Sequence, residues 1–128
     1  MLLALHYFFL FFHTLFTLFN FIGWAFKKTR KAHRFTMLFT LGSWSILGIW
    51  FGFGFCFCTH WHWIILEKLG KTNLPYSYIT YLIQELTGIV LLDESYVVFF
   101  TFITFALLLI LTLVLWVLEK RQKIKTPL

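Results

Sequence analysis

Charged residues are scarce in this chain: 12% of its 128 residues, where a soluble domain averages about 25%. No Asp, Glu, Lys or Arg occurs in residues 1–26, 35–66 or 95–118. Those gaps exclude an ordinary solvated surface and leave no room for a separate soluble domain. No basic residue precedes Lys27, and nothing resembles Ala-x-Ala. The first segment therefore reads as a permanent helix and not as a cleavable signal peptide. The chain has two cysteines, Cys56 and Cys58. Their spacing excludes a structural disulfide between distant segments. No internal repeat is visible, which argues against a transporter built from inverted halves. No established catalytic motif is present.

What fills the chain is apolar: 60% of residues, with 18 phenylalanines. The apolar blocks have the length a bilayer demands, roughly 20 residues per helix. They predict an all-α integral membrane protein, a single domain over 1–128 with spans at about 2–26, 35–57 and 96–118. An exterior amphipathic or interfacial cap is expected over 59–95. Nine of the eleven basic residues fall in two clusters, Lys27–Arg34 and Lys120–Lys125. Short basic loops stay cytoplasmic, so the N-terminus is expected outside and the C-terminus inside. A fourth span at 76–92 would put one cluster on the wrong side. It would also bury Glu85, at about 2.5–3.5 kcal/mol. The formal charge of +6 thus reports topology and contact with anionic headgroups around Arg30, and nucleic acid is not an expected partner. The expected partners are the bilayer and other membrane proteins.

The few polar residues fall in patterns. His6, His13 and Asn20 are seven apart in turn, with Thr17 beside them, so they share one helix face. Polar groups within a membrane usually turn to the bundle interior. The second block carries Gly48-x-x-x-Gly52, a close-packing pattern, and a Gly-rich stretch over 51–55 that is expected to loosen the helix. The densest chemistry lies at Cys56-Phe57-Cys58-Thr59-His60-Trp61-His62-Trp63. Extended, the two cysteines and two histidines would project to one side; helical, only Cys56/His60 and Cys58/His62 share a face. Thiolate and imidazole together favour zinc or copper, which makes Cys56, Cys58, His60 and His62 the candidate metal ligands. Haem is a further candidate, and no cofactor at all is the leading expectation. Residues 61–69 read as an interfacial helix stopped by Gly70, and Tyr76–Leu92 as an exterior helix. The last span reads as a lipid-facing closing helix.

One ordered set of residues resembles a family of small bacterial inner-membrane proteins described as domain of unknown function 2784. It comprises His13, Phe16, Phe19-Asn20, Gly23-Trp24, His33, Trp44, Cys56, Thr59, Tyr78-Ile79 and Leu82. The resemblance covers most of residues 6–92 and implies a bacterial plasma membrane, with no known reaction. Family members commonly show Cys-Pro-Leu-Thr followed by Glu. Here Phe57 and Cys58 replace Pro and Leu, His62 sits near the Glu position, and Tyr81 stands where a His is often seen.

These features lead to a small accessory or scaffold membrane protein. Its polar pocket at the outer leaflet, taking in His6, His13, Asn20, Trp44 and Tyr81 beside the Cys/His cluster, would hold a metal or small ligand. The alternative is a membrane redox or metal-dependent enzyme using Cys56/Cys58 and His60/His62.

Overall fold

The structure, a computed structural model, describes residues 1–52, 55–91 and 93–126. Five helices follow in order: α1 (Leu2–Ile22), α2 (Arg30–Phe51), α3 (Phe57–Lys68), α4 (Tyr78–Thr87) and α5 (Ser95–Lys125). No strand occurs among the described residues, so the chain is all-α. Phe53 and Gly54, in the stretch expected to loosen, lie outside the described residues. So does Leu92, the expected end of the exterior helix.

α1 stops at Gly23, whose N–H donates to Phe19 O at 2.8 Å. A side chain there would place its Cβ 2.8 Å from Phe19 O and 3.0 Å from His33 Cδ2. Glycine thus lets α1 and α2 close to contact. The basic loop is shorter than expected, because α2 begins at Arg30 and takes Lys31 and Arg34 into its first turns. Fully buried His33 fastens three helices. Its Nε2 lies 2.8 Å from Asn20 O of α1, and its Nδ1 lies 3.4 Å from Thr112 Oγ1 of α5.

α2 ends six residues before the expected limit of its span, at Phe51. Gly52 takes φ +96°, a conformation other residues resist, and its carbonyl accepts from Tyr76 OH at 3.0 Å. The chain then folds back into the bundle. Phe57 N–H donates to Ser43 Oγ at 2.9 Å, and Ser43 lies two turns, about 12 Å, before the end of α2. From there α3 runs outward beside α1, antiparallel to it. Cys56 meets His13 and His62 meets His6, six and seven residues apart on their helices and so about 10 Å in either case. α3 is four residues longer at its start than expected. It ends with Gly70 at φ +87°, where Lys71 N–H closes onto Leu66 O.

α4 crosses the open end and stops at left-handed Gly88, short of the expected limit at residue 92. The Glu94 carboxylate receives both Tyr76 N–H and Ser77 N–H just ahead of it, at 2.8 and 3.0 Å. At the opposite end, Glu119 of α5 pairs with Arg30 at 2.9 Å and Arg34 at 3.1 Å. Lys27, Lys28 and Lys31 remain exposed.

Among the described residues two helices, α1 and α5, are long and apolar enough to cross a membrane. α2, expected as a third span, falls short of that hydropathy because Arg34 and a run of Gly, Ser and Thr dilute its apolar residues. A buried cluster of Leu47, Phe55, Trp63, Leu66, Tyr78 and Tyr81 holds α2, α3 and α4 together. Elsewhere large apolar side chains face outward, among them Phe8, Phe11 and Leu15 on α1 and Phe99, Phe100 and Leu107 on α5.

Candidate functional site

The buried residues of α1 are His6, His13 and Asn20, the polar face read from their spacing. They serve two places. His13 and Asn20 line a partly open cavity of about 110 Å³ between α1, α2, the start of α3 and α5. Cys56, Thr40, Ser43 and Thr59 supply more of its polar wall. Phe16, Phe39, Trp44, Phe102 and Phe105 make the apolar side. Trp44 is held there by Phe105 and Phe102, with ring centres at 4.5 and 5.4 Å.

Cys56 sits at the N-cap of α3. Its sulfur accepts from Thr59 N–H at 3.4 Å and lies 3.1 Å from Thr59 Oγ1. His13 Nε2 lies 3.3 Å from the same sulfur, and the Cys58 thiol also stands against it. The His13 ring stacks on Tyr78, centres 3.8 Å apart, and Tyr78 OH reaches back to Leu10 O and Thr14 Oγ1 at 3.1 Å each. The imidazole is thus fixed from two sides. His13 bonds the segment after α2, while Ser45 turns to its own helix at Leu41 O.

Two buried polar atoms of the cavity residues have no hydrogen-bond partner: His13 Nδ1 and Asn20 Oδ1. The other end of the Asn20 amide donates to Thr40 Oγ1 at 3.0 Å, and Thr40 in turn donates to Thr36 O. Leaving one such atom unsatisfied in a buried site costs about 1–3 kcal/mol.

His6 and Tyr81, expected in the same pocket, lie with His62 nearer the open end. His6 Nδ1 and His62 Nε2 are 2.9 Å apart, and the His62 and Tyr81 ring centres 5.7 Å. His62 is fully buried, and burial pushes its imidazole down to about 4. Burial pushes the Tyr81 phenol up. His62 Nδ1, Tyr81 OH and neighbouring Thr80 Oγ1 are all buried without partners.

The four candidate metal ligands divide among three places. Cys56 faces His13, and His62 faces His6. Cys58 is buried, its thiol beside the Cys56 sulfur. His60 lies against Phe51 and Phe55, ring centres at 4.9 and 6.1 Å. Among the described residues no group of three or more His, Cys, Asp or Glu side chains is placed to hold a metal ion. Sequence reasoning did not assign roles to Ser43, Thr40 or Tyr78 at this site. Tyr78 and Thr59 stand among the residues that carry the family resemblance, Thr59 also within the Cys/His stretch.

A family model described as Protein of Unknown function (DUF2784) matches residues 3–118. The match covers most of the chain, which belongs to that family. No curated protein and no solved structure matches it.

Proposed function

We propose that this family member is a three-span protein of the bacterial inner membrane, with its N-terminus outside and its C-terminus in the cytoplasm. α1, α2 and α5 are its spans. Outward-facing apolar surface on α1 and α5 supports lipid contact. So does the position of both basic clusters at the end marked by the Arg30–Glu119 and Arg34–Glu119 pairs.

Within that bundle the cavity binds a small amphiphile by its polar head, and the protein acts as a binding or accessory component. The observation that carries this reading is the pair of unpartnered buried atoms, His13 Nδ1 and Asn20 Oδ1. A head with both a donor and an acceptor satisfies them, and the aromatic wall receives an apolar tail. Water alone is the simpler occupant, since about 110 Å³ holds roughly three waters at about 30 Å³ each. Titrating octanamide, whose head both donates and accepts, against the detergent-solubilised chain by native mass spectrometry separates the two. One bound octanamide, lost at least about tenfold in Asn20→Leu with helicity unchanged, supports the amphiphile. Equal binding by the variant, or none by either protein, sinks it.

A second reading, a membrane enzyme, is favoured by one observation: the contact between Cys56 and His13.

A further inference from the structure

We propose that Cys56 is the nucleophile of an acyl-transfer site inside the bundle. His13 would be its proton acceptor, and an ester of an amphiphilic carboxylic acid its substrate class. The proposal rests on the reading of the cavity as an amphiphile site and adds chemistry to it.

Four observations converge on the sulfur. It caps the N-terminus of a twelve-residue helix, where the helix dipole favours negative charge. It accepts the Thr59 N–H and lies within hydrogen-bond reach of the Thr59 hydroxyl. An imidazole nitrogen stands at 3.3 Å, the arrangement that activates a thiol. That imidazole is 5% exposed, and its other nitrogen has no partner. Once Nε2 has taken the thiol proton, Nδ1–H is a donor left over for the bound ligand.

The surroundings select the substrate. Asn20, Thr40 and Ser43 give a polar strip for the ester head, while Phe16, Phe39 and Phe102 give a wall for the chain. α5 packs chiefly on α4 and α2, with the cavity between it and α1. An amphiphile can therefore enter sideways from the bilayer.

In the step proposed, Cys56 Sγ bonds to the acyl carbon and the ester C–O bond breaks. The thiol proton passes through His13 Nε2 to the leaving oxygen. The products are a thioester on Cys56 and a free alcohol. Water or an amine then attacks the thioester, the C–S bond breaks, and the thiol regains its proton. No oxidant or reductant is needed.

Thiol–disulfide chemistry between Cys56 and Cys58 is the competing use. Cys58 lies in the first turn of α3 and is buried. Its thiol nevertheless stands close enough to the Cys56 sulfur to interact with it, so the pair can compete for this use, although a disulfide closed over one intervening residue would be strained.

The test is p-nitrophenyl octanoate added to the full chain in detergent. The expected result is a burst of one equivalent of p-nitrophenolate, with one octanoyl group found on the Cys56 peptide. Cys58→Ser should keep the burst and Cys56→Ser should lose it. His13→Gln should slow it by about 100-fold, and Thr59→Val, which removes only the hydroxyl, should slow it less. Iodoacetamide distinguishes the two layers of the argument. If it alkylates Cys56 in a His13-dependent way while octanoyl transfer fails, the substrate assignment is overturned. Labelling that falls equally on Cys58, a burst indifferent to His13→Gln, or a Cys56–Cys58 disulfide formed by mild oxidation of the folded chain overturns the nucleophile itself.

Discussion

Each histidine of this chain is set apart by what its two nitrogens meet. His33 has both near partners, the Asn20 carbonyl and the Thr112 hydroxyl, and its work is to join helices. His13 and His62 have one nitrogen engaged and one bare. For His62, buried and neutral, this has a consequence for stability. Its pKa is pushed from the ordinary 6.5 down to about 4. Between those values the unfolded imidazole binds a proton that the folded one refuses. Stability therefore falls as pH drops from about 6.5 to about 4, and this contribution stops changing below that window. Thermal melting of the solubilised chain across that range should show the fall, and His62→Gln should flatten it. A variant curve as steep as the native one would place the pH dependence elsewhere, with His6 and its neighbours.

At the scale of helices, the approach of α1 to α2 depends on Gly23. A methyl group there meets a backbone carbonyl at 2.8 Å and the His33 side chain at 3.0 Å. Neither can move freely, because the carbonyl belongs to α1 and the ring is held at both nitrogens. Gly23→Ala should destabilise the protein by about 1–3 kcal/mol, read as a lower melting temperature, while Gly42→Ala, which meets nothing within 4 Å, should not. Equal effects would mean that helix contact at Gly23 is not what holds the pair. The polar face of α1 was legible from sequence because a seven-residue interval on one helix admits one geometry. The return of the chain into the bundle ahead of α3 was not. Hydropathy runs unbroken from Phe35 to Leu66, and Cys56 to Trp63 read naturally as the place where a span leaves the membrane. What redirects the chain is Gly52 at positive φ and a single bond from Phe57 N–H to Ser43. The second of these is a tertiary contact that no local pattern encodes. His60 and His62 part because a helix turns alternate residues away from one another, where an extended segment would have aligned them.

For the molecule as a whole, this return into the bundle changes where the chemistry sits relative to the two aqueous phases. A span ending at residue 57 would put Cys56 at the outer surface. Instead Cys56 lies level with His13, halfway along α1, beneath α3 and α4. In the proposed arrangement the loop carrying Lys71 is at the outer end and the loop carrying Lys28 at the other, beside the paired Arg30 and Glu119. A membrane-impermeant maleimide applied to intact cells reads these depths directly. With both native cysteines replaced by serine, Lys71→Cys should label from outside and Lys28→Cys only after permeabilisation. In the native chain, Cys56 should label far more slowly than Lys71→Cys from either side, because a charged reagent must cross packed aromatic surface to reach it. Labelling of Lys71→Cys and Lys28→Cys from one common side would overturn the three-span arrangement, and rapid labelling of Cys56 would return it to the surface.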